Sequence, residues 1–229
     1  MKLAINKGKP IRTKPFPANK TTDNEEIAEV QNVLNSGILS NFLGAWHENF
    51  YGGDQVRKLE RSWEKKFNVK NAISVNSNTS GLFAAMGGIG IQPDDEVIVS
   101  PYSMSASAVA PMLYGGVPIF CDVEDEYFCL DAKNIEKLIT PKTKAILVVD
   151  LFGQPYNAPE INSIAKKYNL KIIEDCAQAP SAKFGDKYAG TLGDIGVFSL
   201  NYHKHIHCGE GGIIVTDDDE LAEKMRLIR

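Results

Sequence analysis

"AILVVDLFGQPYNAPEINSIAKKYNLKIIED", residues 145–175, decides the fold. It opens on AILVV and closes on KIIED, short apolar runs that do not alternate cleanly with polar residues. Such runs mark strands buried on both faces of a sheet, as parallel strands are. Between them APEINSIAKKYN reads as a helix, the crossover that two parallel neighbours need.

The same rhythm extends in both directions from this unit. AISVN (72–76), EVIVS (96–100), VPIFC (117–121), IGVFS (195–199) and GIIVT (212–216) are further β-branched or apolar runs, which brings the candidate strands to seven. LDAKNIEKLI (130–139) reads as a second helical crossover. The expected class is α/β, with a mostly parallel seven-stranded sheet flanked by helices.

The chain before this rhythm is organised differently. About twenty basic, proline-containing residues lead to TTDNEEIAEVQNVLNSG (21–37), with an acidic helix start, apolar Ile27, Val30 and Val33/Leu34, and Gly37 as a stop. Residues 1–36 are therefore expected to form an arm and helix, and residues 37–229 the main domain. The aromatic loop SNFLGAWHENFYGG (40–53) precedes the helix DQVRKLERSWEKKFNV (54–69), which places Val56, Leu59, Trp63 and Phe67 on one face. At the other end DDDELAEKMRLIR (217–229) begins as a helix with no glycine or proline to stop it, so the chain is expected to be the N-terminal part of a longer protein.

Composition excludes several classes of function. A chain of 229 residues with 25 Lys and Arg against 29 Asp and Glu carries a net charge of −4, and its lysines are scattered. No electrostatic footprint for nucleic acid results. No apolar run approaches the roughly 20 residues that span a bilayer, and the N-terminus lacks a signal peptide's apolar block. A cytoplasmic protein is expected. Cys121, Cys129, Cys176 and Cys208 form no C-x-x-C pair, so reduced thiols are expected in place of a zinc site or disulfides.

In open α/β sheets ligands sit beyond the carboxyl ends of the strands. After AISVN come Ser77, Thr79 and Ser80 at the start of a helix, where hydroxyls and free backbone N–H groups suit a phosphate. An ordinary helix cap uses the same residue types. Neither G-x-G-x-x-G nor G-x-x-x-x-G-K-[ST] is present, which disfavours a dinucleotide-binding dehydrogenase and a P-loop enzyme. After KIIE stands Asp175, a carboxylate at the end of a buried strand that needs a cationic or hydrogen-bonding partner. With Gln178 three residues on it has capping-box spacing; it also suits a carboxylate that holds a proton on a heteroaromatic nitrogen.

After IGVFS comes LNYHKHIHCGEGG (200–212). His203, His205 and His207 would share a face only in an extended strand, yet the stretch joins two strands and reads as a turn, so no metal is expected there. Glycines and a strand end hold Lys204 in a constrained loop.

Taken together, NSNTSGL (76–82), DEVIVSPYSMSASA (95–108), PIFCDVEDEYFCLD (118–131), LFGQP (151–155), IIEDCAQAPSA (172–182), GDIGVFSLNYHKHIHCGEGG (193–212) and VTDDDELAEKMRLIR (215–229) resemble the DegT/DnrJ/EryC1/StrS family of nucleotide-sugar aminotransferases. The resemblance implies a fold type I enzyme using pyridoxal 5'-phosphate, usually a homodimer, which moves an amino group from glutamate or glutamine to a nucleotide-linked keto sugar. Lys204 matches the lysine bonded covalently to the cofactor, Asp175 the partner of its pyridine nitrogen, Gln178 a neighbour of its ring oxygen and Ser199 a phosphate ligand. Thr79 and Ser80 fall on the phosphate-binding turn. Relatives that remove a sugar hydroxyl, working with the pyridoxamine form, carry histidine where Lys204 stands, so transamination is expected over dehydration. A non-enzymatic relative that keeps the fold as a scaffold would not need Lys204, Asp175, Gln178 and Ser199 together.

Three departures from the family pattern stand out. Met104 occupies a place where an aromatic residue often stacks on the cofactor; a thioether also packs on a ring, and a core methionine is the other reading. Asp150 stands where many members have histidine. The smaller C-terminal domain that the resemblance implies, which helps close the site, is not in this sequence, so residues 1–229 alone are expected to be weakly active or inactive. Trp46 and Tyr51 are candidates either for the substrate pocket or for loop packing.

Overall fold

A computed structural model describes residues 2–17 and 21–229. Residue 1 and residues 18–20 of the expected arm lie outside the described residues. Two compact units emerge, residues 1–53 and 54–229.

In the first unit, α1 (Asn24–Ser36) starts on a capping box in which Asp23 accepts from the backbone and Glu26 reaches back to the Asp23 N–H. It ends where Gly37 takes the left-handed conformation, φ 69°. In the aromatic loop Trp46 and Tyr51 each pack on Phe50, at ring-centroid distances of 5.1 and 5.4 Å.

The second unit carries the sheet. Its elements are α2 (Asp54–Phe67), β1 (Asn71–Val75), α3 (Asn78–Gly88), β2 (Glu96–Val99), α4 (Ser105–Val109), β3 (Val117–Phe120), α5 (Ala132–Ile135), β4 (Thr143–Val149), α6 (Ala158–Tyr168) and β5 (Lys171–Asp175). After these come the small hairpin β6 (Lys183–Phe184) and β7 (Lys187–Tyr188), then β8 (Ile195–Ser199), β9 (Gly212–Thr216) and α7 (Asp219–Ile228). All seven expected strands join one sheet in the order β1-β9-β8-β5-β4-β2-β3. The pairs from β3 through β8 are parallel, and β9 runs antiparallel to both β8 and β1. The fold is thus the expected α/β class.

Strict alternation within the apolar runs explains why both faces are dry. Leu147, Val149, Ile173, Val197 and Ile214 meet Leu82, Met86, Leu221 and Met225 of α3 and α7 on one face. On the other, Ile146, Val148 and Ile172 meet Ile135 of α5 and Ile161 and Ala165 of α6, and Trp63 and Phe67 of α2 pack with Phe198, Ile213 and Val215. Burying each such side chain contributes on the order of 1.5–3 kcal/mol.

Two glycines set how closely α3 approaches the sheet. A Cβ on Gly81 would lie 2.6 Å from Val197 Cγ1, and one on Gly212 would lie 2.6 Å from the Ser77 carbonyl carbon. Side chains there would push the N-terminus of α3 off the end of β8.

Candidate active site

The carboxyl ends of β1, β5 and β8 surround a cavity of about 250 Å³. Thr79, Met104, Asp175, Gln178, Ser199 and Lys204 all line it, although they come from segments spread over 125 positions of sequence. Ser80 is not among the lining residues. Its N–H donates to Ser77 Oγ at 3.0 Å, and the two hydroxyls lie 2.9 Å apart. Ser77 therefore caps α3, and the turn it caps also faces the cavity. The cap reading of that turn is the one observed.

Asp175 is 4 % exposed. Its Oδ1 accepts from Asn78 Nδ2 and from the Ala177 N–H, both at 3.2 Å, and its Oδ2 accepts from Ser107 Oγ at 2.8 Å. No helix follows it; residues 176–182 form turns, so the capping-box reading is overturned. Pro180 is the local reason, since proline disfavours helical backbone in the residue before it. Burial raises the proton affinity of this acid, while Ser107, the Ala177 N–H, Asn78 and the positive charge of Lys204 act the other way.

Lys204 sits half-buried in the loop between β8 and β9. That loop is pinned at its base by Leu200 N–H to Gly211 O (2.8 Å), Cys208 N–H to Leu200 O (3.0 Å) and Tyr202 N–H to Gly209 O (2.8 Å). The Lys204 N–H turns back to Asn201 O at 2.9 Å. Asn201 Nδ2 donates to Glu210 Oε1 at 2.8 Å, and both residues line the cavity beside the amine. The histidines do not share a strand face; His203 and His207 pack edgewise on Tyr202, at 5.3 and 5.6 Å.

Gln178 is oriented by an unusual backbone. Phe152 has φ 54°, in the left-handed region, and its N–H donates to Gln178 Oε1 at 2.7 Å. The amide nitrogen of Gln178 is the group left to offer the cavity. Ser199 ends β8, and its Oγ accepts from the Asn201 N–H at 3.3 Å. Met104 precedes α4 at the rim and is 70 % exposed, so it is not a core methionine.

Asp150 does not line the cavity. It is fully buried on the other face of the sheet, with Glu174 and Cys176; one ligand atom from each lies within 4.8 Å of the others. Cys176 Sγ donates to Asp150 Oδ2 at 3.1 Å and the Tyr156 N–H to its Oδ1 at 3.0 Å. Glu174 accepts from the N–H groups of Gly190, Leu192 and Gly193 at 2.6–2.7 Å. Burial pushes Asp150 up to about 7 and Glu174 up to about 8.

Sequence reasoning missed Asn78, Ser107, Asn201 and Glu210. Asn78 stood inside a quoted motif and Ser107 inside another, but a hydrogen bond from a helix to a distant strand leaves no local pattern.

A buried acid, an amine on a constrained loop and hydroxyls at a helix N-terminus form a donor set that fits a phosphorylated heteroaromatic aldehyde. Together with the sheet order they define the large-domain half of a fold type I aminotransferase. The chain belongs to the DegT/DnrJ/EryC1/StrS aminotransferase family, which it matches over residues 20–229. Members of that family use pyridoxal phosphate or its pyridoxamine form.

Among curated relatives, GDP-perosamine synthase of Caulobacter vibrioides is 42% identical over 177 residues, covering 77% of this chain and 48% of that protein. UDP-N-acetyl-3-dehydro-alpha-D-glucosamine 3-aminotransferase of Acidithiobacillus ferrooxidans is 40% identical over 182 residues, 79% of this chain and 49% of that one. The crystal structure of an aminotransferase from Psychrobacter cryohalolentis superposes with a TM-score of 0.83 at 32% identity, covering 92% of this chain and 51% of that one. The chain spans about half the length of the curated relatives it matches. No helix among the described residues is long and apolar enough to cross a membrane.

Proposed function

We propose that the full-length protein is a pyridoxal-phosphate-dependent transaminase that moves an amino group from glutamate or glutamine onto a keto sugar carried on a nucleoside diphosphate. The observation that carries this reading is that Lys204, Asp175 and the N-terminal turn of α3 converge on one cavity. The sugar class rests on the family and on the names of its relatives. The product would serve the amino-sugar content of surface polysaccharides or related glycans.

When bound, the cofactor supplies an electron sink for the carbon that loses its proton. The chain's own residues divide the remaining work. Thr79 and Ser199, with N–H groups of the α3 turn, would bind the phosphate, and Ser80 would hold that turn through its bonds to Ser77. Asp175 holds a proton at the ring nitrogen, and Gln178 offers an amide N–H to the ring oxygen. Met104 covers the ring from the rim. Lys204 Nζ would hold the cofactor and would move the proton to and from the substrate carbon.

Residues 1–36 act in this reading as an arm and residues 37–229 as the cofactor-binding large domain. A homodimer in the cytoplasm is the working form. Large exposed apolar side chains, Tyr102 at 50 % and Phe152 at 71 % exposure, suit a covering partner, and four free cysteines suit a reducing compartment.

The test is to load the full-length protein with an amino group and offer it a panel of nucleotide-linked keto sugars. Transamination predicts that one sugar restores the aldehyde-form absorbance and emerges with an amine in place of its ketone. Loss of a hydroxyl from the sugar would point to dehydration instead, and an unchanged spectrum with every sugar would overturn the reading.

A further inference from the structure

We infer that Ser107 and Asn78 are positioning residues that keep the proton shared between Asp175 and the cofactor's ring nitrogen on the nitrogen. The inference rests on the reading of the cavity given above and adds two residues to it.

Asp175 lies at the end of a strand whose neighbours are apolar, and beside the Ala177 N–H at 3.2 Å it has two side-chain donors, neither from that strand. Ser107 is completely buried on α4 and donates to Oδ2 at 2.8 Å. Asn78, also buried, opens α3 and donates through Nδ2 to Oδ1 at 3.2 Å. The same amide nitrogen reaches the Val197 carbonyl at 3.1 Å on β8. One donor from each of two helices thus grips each carboxylate oxygen and fixes the plane of the group. Through Asn78 the acid is tied to the helix whose first turn faces the phosphate site, and through Val197 to the strand that leads to Lys204.

Donors directed at a carboxylate stabilise its charged form. That matters here because a buried acid facing a buried pyridine has two arrangements: an ion pair with the proton on nitrogen, or a neutral pair with the proton on oxygen. Burial favours the neutral pair. Only the ion pair leaves the ring electron-poor enough to act as an electron sink. Ser107 and Asn78 favour the ion pair, and each adds a hydrogen bond to a charged group, the stronger kind.

The test uses full-length protein loaded with pyridoxal phosphate labelled with nitrogen-15 in the ring, as Ser107→Ala, Ser107→Thr and Asn78→Ala. In the unaltered protein the nitrogen resonance is expected at the position of a protonated ring. In Ser107→Ala it should move toward the unprotonated position, kcat should fall about tenfold or more, and KM for the amino donor should change much less. Ser107→Thr should restore both, and Asn78→Ala should shift the resonance in the same direction from the other oxygen. A resonance unmoved in both alanine variants would overturn the inference, even if their melting temperatures fall, because a merely structural role lowers stability without moving that proton. An unaltered protein that forms no covalent complex on Lys204 would overturn the underlying reading as well, and the two failures are told apart by that control.

Discussion

The end of β5 turns two acids to opposite faces of the sheet, and the contrast separates a carboxyl that faces a cavity from one that holds a loop. Glu174 and Asp175 are adjacent and both buried. Asp175 opens on a cavity with Lys204 among its walls and takes its donors from side chains of α3 and α4. Glu174 takes three backbone N–H groups from the loop at 190–193 and faces Asp150 and Cys176. Burial is common to both. What differs is whether the charge is aimed at space a ligand can occupy or spent on holding a loop.

Substitutions at these positions should break along the same line. Lys204→Ala has the largest expected effect, a loss of transamination by on the order of 10³-fold or more, measured on full-length protein with the cofactor added back. Asp175→Asn should lower kcat by on the order of 10²-fold while thermal melting stays close to that of the unaltered protein. Glu174→Gln should do the reverse. Above about pH 8, where Glu174 is charged, the substitution trades an acceptor for a donor facing backbone N–H groups, so denaturant unfolding there should show a loss of about 1–3 kcal/mol, and kcat should change far less than in Asp175→Asn.

A further effect is one of pH. Asp150 and Glu174, pushed up to about 7 and about 8 by burial, bind protons in the folded chain that the unfolded chain releases near pH 4. The stability they contribute is therefore fully present below about pH 4 and is lost as the pH rises through 7 to 8. The slope is roughly 1.4 kcal/mol per pH unit for each proton involved. Asp150→Asn keeps an acceptor for the Tyr156 N–H and removes one charge, so melting curves of the cofactor-free variant between pH 5 and 8 should be flatter than those of the unaltered protein. An unchanged slope would mean that Asp150 takes up no proton in the folded chain over this range.

The contrast also shows which parts of the molecule could be read from sequence. Strands buried on both faces must be apolar throughout, so AILVV, IGVFS and GIIVT were legible as such, and the carboxyl ends of AISVN, KIIED and IGVFS pointed to Thr79, Asp175, Ser199 and Lys204. The hairpin of β6 and β7 was not legible, because KF and KY are two-residue strands with exposed lysines and no apolar run. Ser107 was hidden for another reason. A serine on a five-residue helix looks like any other until α4 is packed over β5, and only that packing brings its hydroxyl to Asp175. Asp150 was misleading in the opposite way. It stood out only as a departure from the family pattern, and its position one past the end of β4 turns it to the face away from the cavity.

The central claim, that the amine of Lys204 carries the cofactor, is tested most directly by saturating the full-length protein with pyridoxal phosphate, reducing it with borohydride, and mapping the digest by mass spectrometry. The account predicts a single phosphopyridoxyl adduct, on the peptide containing Lys204, absent from Lys204→Ala and intact in Glu174→Gln. An unmodified Lys204 in the saturated, reduced protein would contradict it.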